Sequence, residues 1–342
     1  IIASNASSVY WSKADLRLVL DLNDAPRFRI ENVLGEEDNL LTNNFKNNST
    51  CSNSVRIKNF NNRRERQIDD VTLPSAGNSA QGRTITLLDI NFRSLLTCLH
   101  QTAWLGTNKP LNDTSDGGLV LFFTIRGPLA NPPDLNNNGL PDYIAPYGVR
   151  IRNGASLTAT TSGAPTPKGV TLVSDQAMYI WGDFNSQNWI PAAVMADSLN
   201  ILSNSWSNNR NGVDMDNLNL SSCNLNERQV TTDTTINAAF LSGTDSTGLL
   251  EGDQGHDRGI YNGGLENYPR FHENWSGRWL NYRGSFVSLN RPLKVRGFWE
   301  HQCYHPPSRN WQYDVRFNDA ANLPPLTPRF VYLKQELFVR RF

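Results

Sequence analysis

The densest run of oxygen-bearing side chains is Asp134-Leu-Asn136-Asn-Asn138-Gly139-Leu-Pro-Asp142. Counted from Asp134, oxygens fall at positions 1, 3, 5 and 9, with glycine at 6. Calcium is a hard cation that takes about six to eight oxygens, and a tight loop with alternate residues turned inward supplies them. Gly139 permits the sharp turn. Asp134, Asn136, Asn138 and Asp142 are therefore the expected calcium ligands. Two Asn in place of Asp remove negative charge and weaken the site. The twelfth position is Ala145, not Glu, so the loop is not an EF-hand. The alternative is a metal-free loop held by Asx turns.

Other groups carry weaker signals. Glu251-Gly-Asp253-Gln-Gly-His256-Asp257 reads as a solvated loop. Asp253, Asp257, Glu266 and Glu273 are the acids a polysaccharide-acting enzyme would use, because a pair about 5–10 Å apart in space suffices for glycoside cleavage. His301-Gln-Cys303-Tyr-His305 has a zinc-like i, i+4 spacing, but that geometry needs a helix and Pro306-Pro307 makes the segment extended. Packing roles for these histidines are the simpler reading. There is no G-x-S-x-G elbow, P-loop or G-x-G-x-x-G. The expectation is a protein that is not an enzyme.

The elements that position these groups are mostly short strands. Tyr10 to Leu22 alternates in part like a strand, and Leu40 to Asn62 reads as an Asn-rich loop. Leu88, Phe92, Leu95, Leu96 and Leu99 recur at helical spacing and predict a helix over Leu87–Leu105, with Asp89 near its start. Leu119 to Ile125 is an apolar run closed by Gly127-Pro128, a buried strand. After about residue 147 strand-like segments follow closely: 149–152, 170–173, 177–181, 192–196, 199–202, 236–241 and 279–289. Small residues such as Ala192, Ala193, Ala196, Ala238 and Ala239 crowd their interior positions, and Asn, Asp and Ser stand between them. A sandwich would show regular hairpin signals. The spacing Thr171–Ile180–Ala193–Ile201 instead suits coils of short strands. The expected fold is mainly β, with a mixed α+β N-terminal region over 1–146 and a parallel β-helix or solenoid-like core over 147–342. The Pro- and aromatic-rich segment after Glu300 is expected to wrap over that core.

The 342 residues include 38% hydrophobic ones, enough for a sizeable core. The 32 basic residues match the 32 acidic ones, which argues against a nucleic-acid binder and lowers repulsion between copies. No apolar run is long enough to span a membrane. The chain begins at Ile1-Ile2-Ala3, and an upstream segment holding an export signal is expected. Cys51, Cys98, Cys223 and Cys303 form no CxxC pair. At least one disulfide is expected, and sequence leaves the pairing open. Trp181, Trp189, Trp206, Trp275, Trp279, Trp299 and Trp311 are read as core and interface, with a carbohydrate face as the other use.

Several strings together resemble a known family. They include Val9-Tyr-Trp-Ser-Lys-Ala-Asp-Leu-Arg17, Tyr147-Gly-Val-Arg-Ile-Arg-Asn-Gly154, Gly169-Val-Thr-Leu-Val-Ser-Asp-Gln176, Pro191-Ala-Ala-Val-Met-Ala-Asp197, Glu266-Asn-Tyr-Pro-Arg-Phe271 and Tyr282-Arg-Gly-Ser-Phe-Val-Ser288. The chain is similar to the cyanobacterial HpsA family of hormogonium polysaccharide biosynthesis proteins. That resemblance implies an extracellular cell-surface protein linked to polysaccharide secretion and gliding filaments, with pilin-like proteins as partners. It carries over no catalytic residue. The expectation is a structural protein that self-associates into a homopolymeric fibre or sheath alongside secreted polysaccharide. A β-helix enzyme and a monomeric glycan-binding module are the alternatives.

Overall fold

The computed structural model describes residues 3–62, 83–128, 147–207, 212, 214–218, 224–243, 268–288 and 304–327. The chain is mainly β. Its described strands join in one large curled mixed sheet, a half-barrel in outline. They are β1 (Leu16–Asp21), β2 (Arg27–Ile30), β3 (Val55–Asn62), β4 (Arg83–Asn91), β5 (Leu119–Arg126), β6 (Tyr147–Ser156) and β7 (Val170–Ser174). They continue with β8 (Ala177–Gln187), β9 (Ala192–Ala196), β10 (Leu199–Leu202), β11 (Thr234–Ser242), β12 (Pro269–Phe271), β13 (Trp279–Ser288) and β14 (Ser308–Tyr313). The helices are α1 (Val9–Ser12), α2 (Asn39–Asn47), α3 (Ser49–Ser52) and α4 (Phe92–Gln101).

From β4 to β12, chain neighbours do not form the main ladders; every second strand does. One parallel ladder runs β1–β5–β7–β9 and on to the second half of β11. A second runs β4–β6–β8–β10–β12. A third joins the second halves of β6 and β8 to the first half of β11, then β13 and β14. Only β1–β2 and β3–β4 pair antiparallel among the described strands. The sheet passes residue 147 without a break, since β4 pairs β6 and β5 pairs β7.

The turns explain this pattern. Asp175-Gln176 links β7 to β8 and Asp197-Ser198 links β9 to β10, each a corner between ladders and not a hairpin. The corners also stack, with Asp197 N–H donating to the Gln176 carbonyl at 3.2 Å and Met178 N–H to Ser198 at 2.9 Å. Between the second and third ladders the backbone enters the left-handed region at Asn153 (φ 57°) and Gly182 (φ 75°). Asn tolerates that region and Gly adopts it without cost. A Cβ at Gly182 would lie 2.6 Å from Asn204 Oδ1, whose amide accepts the Asp183 N–H at 2.9 Å.

Register places like on like inside the curl. Leu16, Leu121, Leu172, Val194 and Phe240 align across the first ladder. Ile90, Ile151, Ile180, Ile201 and Phe271 align across the second. All ten belong to one buried core. Each fully buried side chain of this kind is worth about 1.5–3 kcal/mol. The helices close the same core at its N-terminal end, through Phe45, Phe92, Leu95, Leu96 and Leu99. Cys51 on α3 and Cys98 on α4 form a disulfide there. The Asn-rich stretch expected to be a loop is therefore α2, α3 and β3, and Cys51 is buried.

The helix expected over Leu87–Leu105 is shorter. Leu87, Leu88 and Asp89 belong to β4, and α4 begins at Phe92 with Asn91 as its N-cap, accepting from the Ser94 N–H at 3.3 Å. Asp89 faces the outside of the second ladder, where it meets Arg150. Arg150 Nε donates to Asp89 Oδ1 at 2.9 Å and Nη2 to Asp216 Oδ2 at 3.0 Å. Arg150 is wholly buried, with its guanidinium 4.9 Å from the Trp181 ring centre. Burial alone would raise the Asp89 carboxyl, but Arg150, Arg56 and Arg152 outweigh it and hold the group below the usual carboxylate range.

Candidate functional site

Among the described residues the curled sheet has three outer sides, two of them covered by apolar side chains of the chain itself. Outside the first ladder, Val120, Phe122, Val173, Ala193 and Met195 lie under Tyr10, Trp11 and Leu326. Trp11 meets Phe122 edge-on at 5.0 Å. The C-terminal segment reaches this side from β14, and Thr171 Oγ1 donates to the Pro325 carbonyl at 2.8 Å. Outside the second ladder, Ile85, Leu87, Ala177 and Tyr179 lie under Trp206, Met215 and Leu218. Strands buried on both faces carry continuous apolar runs, which is why β5 reads LVLFFTI.

The third ladder differs. Its strands alternate, with Thr234, Ile236 and Ala238 inward and Thr235 and Asn237 outward on β11. On β13, Leu280 and Tyr282 point inward while Trp279, Asn281 and Arg283 point outward. Register then sets Thr235 beside Asn281 beside Asn310, and Trp279 beside Ser308. Among the described residues this side carries amides, hydroxyls, one arginine and an indole that is 48% exposed. Asn310 Nδ2 donates to Asn281 Oδ1 at 2.8 Å, and Asn237 Nδ2 to the Asn185 carbonyl at 2.9 Å. The first bond joins two amides across neighbouring strands, and the second fixes Asn237 further along the face, level with Arg283. The Trp279 N–H donates to Asp233 Oδ1 at 2.9 Å, which fixes the start of β13.

Next to Trp279 a cleft of about 420 Å³ is lined by Gln229, Thr231, Ser276, Gly277 and Arg278. Its walls are tied by Gln229 Nε2 donating to the Ser276 carbonyl at 3.3 Å. An aromatic platform beside fixed amides and hydroxyls suits a hydroxyl-rich ligand, because the ring takes an apolar face and the amides take the hydroxyls. Neighbouring strands stand about 4.8 Å apart, close to the length of one sugar ring.

The sequence candidates distribute as follows. Asp134, Asn136, Asn138 and Asp142 lie outside the described residues, as do Asp253, Asp257, Glu266, His301, Cys223 and Cys303. Among the described residues no group of three or more His, Cys, Asp and Glu could hold a metal ion. Glu273 is described and is fully buried. Ser203 donates to it twice, from N–H to Oε2 and from Oγ to Oε1, each at 2.7 Å. Burial pushes its carboxyl up to about 7, against the pull of Ser203 and of Arg228. It lines neither cleft nor outer face. Its neighbour His272 is buried too, with Nε2 at 2.8 Å from Asn200 Oδ1. His305 is exposed.

Of the tryptophans, Trp206 and Trp275 are core, Trp181, Trp189 and Trp311 are half-buried, and Trp299 lies outside the described residues. Sequence reasoning did not single out Thr235, Asn237, Asn281 or Asn310. The signal was the period-two alternation of T-T-I-N-A and W-L-N-Y-R, which marks a strand with one wet face.

No match was found among family models, curated proteins or solved structures. Among the described residues no helix is long and apolar enough to cross a membrane.

Proposed function

We propose that the chain is an extracellular structural surface protein that carries polysaccharide on the outer side of its third ladder and associates into a fibre or sheath. The observation that carries this reading is the asymmetry of the three outer sides. Among the described residues two are covered by the chain's own apolar side chains, and the third keeps the bonded amides of Asn281 and Asn310 beside Trp279. The disulfide between Cys51 and Cys98 favours an oxidising compartment. Pairing of every second strand, with aligned isoleucines inside, favours reading the curl as coils of a parallel β-helix. Stacked coils offer flat sides for repeated contacts between copies. The likeness to HpsA proteins fits the same role, with pilin-like proteins as neighbours. Calcium at Asp134, Asn136, Asn138 and Asp142 belongs to this proposal as a stiffener of that loop.

Electron microscopy of the purified full chain, with calcium and then with chelator, tests the assembly. Ordered filaments or sheets that loosen in chelator are the expected result. Discrete particles in both conditions would rule out the fibre and leave a monomeric glycan-binding module. Native gels cast with candidate polysaccharides test the face. Trp279→Ala is expected to weaken retention about tenfold or more, as loss of a central aromatic anchor does. Because Trp279 is exposed, its loss should leave the unfolding free energy within about 0.5 kcal/mol of the parent. Equal retention of parent and variant would remove Trp279 from the contact.

A further inference from the structure

A second cluster lies away from that face, between α4 and β5. Lys109 Nζ hydrogen-bonds Asp15 Oδ1 and pairs with Asp113 Oδ2 at 2.9 Å. It also stands 3.5 Å from Ser115 Oγ and 5.6 Å from the ring centre of Trp104, which is buried. The other oxygen of Asp15 accepts the Val120 N–H at 2.7 Å. Ser115 donates to Asp113. The side chains of Asp15, Lys109 and Asp113 are 9%, 24% and 24% exposed.

Lysine sets this pair apart. Among the described residues the other ion pairs hold arginine, apart from Lys13–Asp116, which is open at 56% and 32% exposure. A guanidinium stays protonated and is no nucleophile, whereas a lysine amine becomes one once it loses a proton. Burial raises the Asp15 carboxyl against the pull of Lys109 and Val120, which favours its neutral acid. Burial lowers the Lys109 ammonium, but the two carboxylates outweigh it, so the resting pair is ionic. Reaction needs the proton moved from amine to acid, and the burial of Asp15, 9% exposed, lowers the cost of its neutral form.

We propose that Lys109 and Asp15 condense to an intramolecular amide, with Asp113 carrying the proton. A proton passes from the Lys109 ammonium to Asp15 Oδ1. The amine lone pair then attacks Asp15 Cγ, and the Val120 N–H donates to Oδ2 as charge gathers there. Asp113 takes a second proton from the nitrogen and returns it to Oδ1, which leaves as water. One C–N bond forms and one C–O bond breaks. Nothing is oxidised or reduced, and Asp113 ends as it began. The product is a ring closed from residue 15 to residue 109 that encloses the Cys51–Cys98 disulfide and would outlast its reduction. This inference does not depend on polysaccharide binding.

Mass spectrometry of the purified full chain, reduced, alkylated and digested, tests it. The expected result is one joined peptide pair linking Asp15 to Lys109, lighter by one water than the sum of its parts. Lys109→Arg should regain the full intact mass. Asp113→Asn should regain it as well, with an unchanged circular dichroism spectrum showing that the fold is kept. Separate linear peptides holding unmodified Asp15 and Lys109 in the parent protein would overturn the proposal and leave an ordinary salt bridge. That parent map decides the question even if a variant does not fold.

Discussion

Arg150→Ala is expected to lower the unfolding free energy by about 3–5 kcal/mol, the range seen when one partner of a buried ion pair is removed. The reason lies in what stays behind. Arg150 is wholly buried between Asp89 and Asp216, both also buried. Asp89 keeps Arg56 and Arg152, so its charge remains partly answered. Among the described residues the Asp216 carboxylate keeps only the Trp206 indole N–H, at 2.8 Å, once Arg150 is gone. The cost should therefore concentrate on the segment around Trp206, Met215 and Leu218 that covers the second ladder. Denaturant unfolding gives the magnitude, and hydrogen exchange should show faster opening of that segment than of β7 or β9. Adding Asp216→Asn to Arg150→Ala should recover part of the loss, because it removes the stranded charge. A loss under about 1 kcal/mol would mean that both carboxylates reach water when Arg150 is gone.

The second large effect is a stability that declines with rising pH. Glu273 titrates at about 7 in the fold against an ordinary 4.5, because burial penalises its charge. Between those values the folded chain holds a proton that the unfolded chain has released. Stability from this group is thus complete below about pH 4.5 and lost as pH rises through about 7. The difference across the window is about 3 kcal/mol. Glu273→Gln should flatten the decline, since a neutral amide can still accept the Ser203 N–H and meet its hydroxyl. Arg228, whose charge acts on this carboxyl and whose Nη1 donates to the His272 carbonyl at 3.2 Å, is present in both proteins. The difference between parent and variant curves therefore isolates Glu273. Parallel curves from pH 4 to 9 would show that the carboxyl reaches solvent.

Much of the strand pattern was legible, and the failures have physical causes. The runs at 170–173, 177–181, 192–196 and 199–202 match β7 to β10 because both faces of those strands are buried. The helix start was misplaced because β4 runs into α4 with no turn residue between them, and Leu88 happens to fall in helical phase with Phe92 and Leu95. Only the Asn91 cap separates the two periods, and a lone Asn in an Asn-rich chain is a poor marker. Cys51 and Cys98 stand 47 residues apart, and their pairing follows from how α3 packs on α4. Nothing local encodes that. The amide row was half legible. Alternation marks Asn237 and Asn281 as outward, but the alignment of Asn281 with Thr235 and Asn310 depends on parallel pairing between strands far apart in sequence. Arg150 escaped notice because an arginine in a strand reads as a surface residue until its two aspartates are known.

The return of the C-terminal segment also sets a timetable for synthesis. Thr171 waits for Pro325, which follows it by 154 residues. Chains elongate at about 5–20 residues per second, so the interval is about 8–30 s. During that time β5, β7 and β9 can assemble, yet Val173 and Met195 lack the Leu326 contact that completes their cover. A nascent chain at this stage presents a sticky apolar strip to its neighbours on a crowded polysome. A chaperone or a translocation channel that holds the chain until its last residues emerge would shield the strip. Truncation before residue 320 would make that temporary hazard permanent.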